Sequence, residues 1–268
     1  PRPPFPPLLG LPLKLWQPFA SACEQFWGGG WESLGDAATE SAEKEQVRRY
    51  LLWVCFELRR RRKRSEGISG RERVKEMVAC AAAFHGFTDV LEKVYLGKFG
   101  RVAPIYAAAG ASLETLKWMR EKKKSSRWNA GVCHEAAKYG HLEVLQWLAR
   151  ENRLPVNEMT SRCAAEGGHL ELLQWLRKYG CPWDQWTCEG AAKGGHLKVL
   201  RWARANGCPW NHWAANFAAM EGHVEVLAWL DEQQAPADLN QVCAAAVERA
   251  SKDDLGAIRW LLGGRRFG

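Results

Sequence analysis

Four histidines, His141, His169, His196 and His223, follow one another at 28, 27 and 27 residues, each directly after a glycine. Imidazoles on a fixed period could supply a ladder of metal ligands. Zinc, however, holds nitrogen at about 2.0–2.1 Å, whereas packed helical layers lie about 8–10 Å apart. Two such histidines cannot share an ion unaided, so the spacing favours a structural imidazole. The nine cysteines, at 23, 55, 80, 133, 163, 181, 188, 208 and 243, include no Cys-x-x-Cys pair. An odd count with no framework reads as reduced thiols in an intracellular protein, cytoplasmic or nuclear. The run Arg59, Arg60, Arg61, Arg62, Lys63 and Arg64 is the sharpest concentration of charge in a chain of net charge +8. Together with Lys122 to Arg127 it suits nuclear import or nucleic-acid phosphate. The alternative is a solvated helix end before Ser65-Glu66-Gly67. No phosphate-binding loop, His-Glu-x-x-His or Gly-x-Ser-x-Gly occurs. No catalytic residue, cofactor or metal is therefore expected.

The elements that carry these residues are repeats. Gly195 to Trp202 reads Gly-His-Leu-Lys-Val-Leu-Arg-Trp, and close copies begin at Gly140, Gly168 and Gly222. Looser copies run from Ala111 to Trp118 and from Asp253 to Trp260, and a weaker one from Gly86 to Lys93. A segment with an Ala pair precedes each close copy: Ala136-Ala137, Ala164-Ala165, Ala191-Ala192 and Ala218-Ala219. The apolar steps predict a short second helix with a broad buried face. Gly180 and Gly207, each followed two residues on by Pro, are C-cap candidates. Each unit thus reads helix, tight turn, helix, loop. Such a unit buries its apolar face only against neighbours, so at least three must stack. The recurrent Trp is expected to fill the space between layers. On that reading Trp202→Ala costs on the order of 3–5 kcal/mol. The back-face residues Glu143, Gln146, Arg150, Glu171, Gln174, Lys198, Arg201 and Arg204 are expected to be ordinary solvated surface.

The Ala-Ala, Gly-His, Val-Leu and Trp-Leu positions resemble ankyrin repeats. The Thr-Pro-Leu-His tetrapeptide is absent, and the period of 27 to 29 residues is shorter than about 33. The missing residues fall after Gly-Cys-Pro-Trp, where the family projects a hairpin. The resemblance, closest to the divergent Trp- and Cys-rich arrays of algae, oomycetes and giant viruses, covers residues 72–262. It implies an all-α helix-turn-helix solenoid with shortened hairpin loops, preceded by an N-terminal helix.

The same resemblance places first helices and loop tips on a concave, partner-facing side. It assigns Glu135, Lys138, Tyr139, Glu166, Lys193, Met220 and Glu221 to that side. At the tips it places Asp184, Gln185 and Trp186, then Asn211, His212 and Trp213, with Trp183 and Trp210 beside them. Exposed aromatic residues at repeat positions are hot-spot material, although a packed loop-to-loop ladder would show the same period.

Four segments follow. Residues 1–36 form a Pro-, Gly- and aromatic-rich leader, poorly ordered or laid on the array. Residues 37–70 form a helix with the stripe Val47, Leu51, Val54 and Leu58, ending in the basic run. Residues 71–262 are six to seven repeats, and 263–268 a tail. No apolar run is long enough for a membrane span. The expected function is a non-catalytic scaffold or adaptor, monomeric, gripping an unidentified protein. The alternatives are a nucleic-acid-associated nuclear protein and a substrate adaptor of a larger enzyme.

Overall fold

The computed structural model describes residues 40–60, 68–94, 102–122, 128–151, 153–250 and 255–263. The expectations for residues 1–36, for Arg61 to Arg64, for the basic loop at 123–127 and for residues 264–268 lie outside them, as do the side chains of Arg59 and Arg60. The described residues form helices and turns, with no strand among them. They separate into two compact units between Val132 and Cys133.

The first unit contains α1 (Glu40–Arg60), α2 (Ile68–His85), α3 (Thr88–Val94), α4 (Ala103–Ala109) and α5 (Leu113–Lys122). Helices α2/α3 and α4/α5 are helix-turn-helix pairs, and α2 lies along α4. Small side chains permit this approach: Ala81 to Ala83 and Ala107 to Ala109 are buried. At Gly110 a Cβ would fall 1.9 Å from the Phe84 carbonyl oxygen, so only glycine fits. Helix α1 packs on α2 and α3 and buries Val47, Tyr50, Leu51, Val54 and Cys55. The Arg48 guanidinium reaches the Asp89 carboxylate at the start of α3, at 2.8 Å. Helix α1 therefore covers one side of the first helix pair.

The second unit repeats one hairpin. Its first helices are α6 (Gly131–Lys138), which spans the division, α8 (Glu158–Glu166), α10 (Gln185–Lys193), α12 (Trp213–Met220) and α14 (Leu239–Ala250). Its second helices are α7 (Leu142–Arg150), α9 (Leu170–Lys178), α11 (Leu197–Ala205), α13 (Val224–Glu232) and α15 (Gly256–Leu262). First helices stack in succession, α8 on α10, α10 on α12 and α12 on α14. The Ala pairs are buried where they meet, and α14 follows suit with Ala245 and Ala246. The connections at 179–184 and 206–212 are short and carry no strand, the truncated hairpin expected from the period.

Two backbone positions recur at positive φ. The first precedes the histidine, at Gly140, Gly168, Gly195 and Gly222, with φ between 74° and 79°. The second follows the second helix, at Gly180 and Gly207, where nothing crowds the Cα and only the left-handed conformation calls for glycine. Arg153 and Gln234 hold the same place in the neighbouring units and keep the conformation, each at φ 51°.

The core differs from expectation in one respect. Trp147, Trp175, Trp202 and Trp229 are half-buried. The wholly buried side chains are Leu145, Leu148, Leu172, Leu173, Leu176, Leu200, Leu227 and Leu230. Helical geometry explains this. At about 100° per residue, Val199, Leu200 and Ala203 share an inward arc, and Trp202 falls on its flank. The layers are sealed by aliphatic side chains and alanines, and the indoles line the edge. In the final pair, α14 runs through Ala250.

Two outcomes follow. Leu200→Ala is expected to cost about 2–5 kcal/mol and more than Trp202→Ala, measured by equilibrium denaturation. In the first unit, the His85 ring stacks on Phe87 at 5.5 Å, and its buried Nε2 has no partner among the described residues. Burial, helped by Lys44, lowers its pKa to about 4. The unfolded chain, titrating near 6.5, takes the proton first. Its contribution to stability is therefore complete above about pH 6.5 and is lost as pH falls toward about 4. Denaturation midpoints should drop more steeply over that window in the wild type than in His85→Phe.

Candidate interaction surface

Each first helix of the second unit beyond α6 opens on an Asx cap. Asn157 accepts from Thr160 N at 3.2 Å, Asp184 from Trp186 N at 3.0 Å, Asn211 from Trp213 N at 3.0 Å and Asp238 from Asn240 N at 3.0 Å. The Asn129 side chain makes the same bond to Gly131 N. Caps of this kind are worth about 1 kcal/mol each. Asp184 and Asn211, expected among the loop tips, thus spend one side-chain oxygen on their own helix. The signal was present in the spacing: Asx residues at 129, 157, 184, 211 and 238 keep the same beat as the tryptophans.

The periodic histidines tie layer to layer. His169 Nε2 bonds the Lys138 carbonyl at 3.0 Å, His196 Nε2 the Glu166 carbonyl at 3.0 Å and His223 Nε2 the Lys193 carbonyl at 2.9 Å. Each bond reaches from a hairpin turn to the last residue of the preceding unit's first helix. The carbonyl accepts, so Nε2 carries the proton. Each ring lies flat on the preceding unit's glycine: a Cβ on Gly168 would sit 2.6 Å from His196 Cε1. Burial lowers the His196 pKa, which keeps the imidazole neutral and donating.

The thiols of Cys133, Cys181, Cys188 and Cys208 are packed into the stack, while Cys243 is exposed. Cys181 and Cys208 are buried and donate to the Asn157 and Asp184 carbonyls at 3.3 Å. The Cys188 thiol is pushed up by its hydrogen bond with Cys208 and by burial. Burial pushes Cys133 up to about 12. Protonated thiols are poor ligands and nucleophiles. Among the described residues no group of three or more His, Cys, Asp or Glu could hold a metal ion.

The loop tryptophans divide into two sets. Trp183 and Trp210 are half-buried, edge-to-face on Trp202 at 5.8 Å and on Trp229 at 5.9 Å. Arg177 lies 4.1 Å over the Trp183 ring and Arg204 4.0 Å over Trp210. The same guanidinium groups donate to the Cys181 and Cys208 carbonyls. Arg204 is therefore a structural clamp, contrary to the expectation of plain solvated surface: its planar head satisfies a loop carbonyl and covers an indole at once.

Trp186 and Trp213, by contrast, are each 42% exposed. They occupy the second position of α10 and the first of α12. Tyr139 and Met220 are also exposed, with Tyr139 stacked on His141 at 6.3 Å. Glu135 and Lys138 are half-buried, and Gln185 is exposed. Glu166 and Lys193 pair across α8 and α10 at 3.0 Å, so they meet each other first. Glu221 lies 3.9 Å from Arg249 on α14. The His212 ring rests against Trp213 at 5.3 Å. One further residue of these helices was not singled out from the sequence. Glu189 is only 4% exposed, and burial raises its carboxyl above the ordinary carboxylate range, with Asn211 and Arg162 opposing. A buried acid at one copy of a repeat breaks the period, which is why periodicity passes over it.

The second unit's sequence matches the family model for ankyrin repeats (many copies) over residues 133–177 and 188–230. These segments are ankyrin repeats. Their bounds run from first helices to second helices of the stack described above. Among solved structures, the chain is similar to the pentatricopeptide repeat protein PPR10, crystallised in complex with an 18-nt psaJ RNA element, at 15% identity and a TM-score of 0.40. A form of the same complex with three cysteines replaced by serine matches equally. The alignment covers 93% of this chain but spans only 40% of that protein, and the likeness is too remote to transfer anything. No curated protein matches the chain. Ankyrin repeats generally mediate contacts between proteins. No described helix is long and apolar enough to cross a membrane.

The clamp gives a direct test. Arg204→Ala should lower stability by about 1–3 kcal/mol, while the exposed Lys198→Ala stays within about 0.5 kcal/mol of wild type. Thermal melts of the two variants compare them.

Proposed function

We propose that the chain is a non-catalytic interaction module, a scaffold or adaptor that binds a protein on the open face of its first helices and the adjoining loop tips. The observation that carries this reading is the pair of exposed indoles, Trp186 and Trp213, at one repeat position on two helices that stack directly. Caps, interlayer bonds and packed thiols take up buried polar groups elsewhere in the second unit. Two large, stiff side chains are left facing outward, and such residues contribute contact area at low entropic cost. Tyr139, Met220, Gln185 and His212 extend the surface around them. Glu135, Lys138, Glu166, Lys193 and Glu221 supply its polar surroundings, with Asp184 and Asn211 at its edge and Trp183 and Trp210 as its support.

The experiment is crosslinking capture from the native cell with the whole chain and with the Trp186→Ala/Trp213→Ala variant. The expected outcome is a defined protein whose recovery falls at least about tenfold in the variant, as loss of a hot spot implies, while the thermal midpoint hardly moves. Equal recovery by both chains would place the contact elsewhere.

A further inference from the structure

On the face just described, two hydrogen-bond acceptors have no donor. Glu189 Oε1 and Asn216 Oδ1 are buried and unpartnered among the described residues. Glu189 is the fifth residue of α10 and Asn216 the fourth of α12, each three residues after an exposed Trp. An i, i+3 interval puts Trp186 with Glu189, and Trp213 with Asn216, on one side of each helix. The four side chains therefore belong to two stacked helices at the same repeat position. At the same repeat position two layers before α10, His134 bonds the cap residue Asn157 at 3.0 Å. Asn216 uses its amide nitrogen on Gln241 Oε1 and keeps its oxygen free. Asn211 hydrogen-bonds the Glu189 carboxylate and Arg162 acts on it by charge, and Oε1 is still left without a donor among the described residues. An unpaired buried acceptor costs folding free energy, more when charged. Native chains seldom retain two of them side by side.

We propose that Glu189 and Asn216 form the floor of a docking site for a cationic side chain, arginine before lysine, carried by an extended segment of the protein partner. The proposal rests on the interaction-module reading above. What the floor lacks is donors, and a guanidinium offers five in a fixed plane, enough to serve a carboxylate oxygen and an amide oxygen together. What stands beside the floor is aromatic. Trp186 and Trp213 present indole faces on which a cation is favoured. Reaching the buried oxygens requires neighbouring side chains to turn aside. Once covered by ligand, the site is dry, and a charge-assisted hydrogen bond there is about twice as strong as a neutral one.

The test uses the full chain and immobilised eleven-residue peptides, randomised except at the centre. The centre is fixed as arginine, lysine, citrulline (donors without charge) or norleucine (neither). The arginine set is expected to bind at least about tenfold more chain than the norleucine set, with citrulline weaker than arginine. Glu189→Gln should abolish the arginine advantage. The same substitution removes a buried carboxylate, so its thermal midpoint at neutral pH should rise by about 2 °C or more, which shows that the variant is folded. Trp213→Ala, at an exposed position, should weaken all four sets and narrow the gap between them. Binding indifferent to the central residue, or an arginine preference that survives in Glu189→Gln, overturns the docking site and leaves the interaction-module reading standing. No binding by any set overturns the docking site and counts against that reading too.

Discussion

The second unit depends on one bond repeated layer by layer, an imidazole N–H given to the last carbonyls of the preceding first helix. Helix ends leave carbonyls without partners, and in a stack of short hairpins there are many such ends. Here His169, His196 and His223 close three of them from the next layer. The geometry admits little variation. The ring must lie on a glycine, the glycine must take positive φ to turn the chain, and the Ala pairs must let the first helices approach. Glycine, histidine and alanine recur together because each makes room for the others.

The loops obey a second constraint. With the hairpin shortened, the turn from one unit to the next must satisfy its own polar groups. A capping Asx serves the amide end of each first helix, a cysteine thiol is tucked under the cap residue's carbonyl, and an arginine from the second helix closes the cysteine carbonyl. The indole of Trp183 or Trp210 then fills the gap between that arginine and the next Trp. Residues that look reactive or partner-facing in a list of types are, for the most part, occupied with one another.

The repeat, its period, the two-helix unit and the shortened loop were all legible in the residues, because each leaves a periodic trace. Three things were not. The Trp of the second helix was read as core because it recurs, but recurrence marks any equivalent environment, and only the turn angle separates Leu200 from Trp202. Arg204 was read as solvent-facing from its charge, although its partners, a carbonyl four residues on and an indole six residues on, depend on the loop doubling back. Glu189 was missed because it occurs once. Its meaning lies in what the equivalent positions do not share, and that requires knowing which positions are equivalent in space.

The stacking of the first helices also sets a stride. An extended chain advances about 3.3 Å per residue, and packed helices stand about 8–10 Å apart. A strand lying across α8, α10, α12 and α14 therefore passes from one layer to the next about every third residue. The array acts as a ruler with coarse divisions: a linear motif is in phase with it only if its informative side chains keep that interval, and the side chains between are left to solvent.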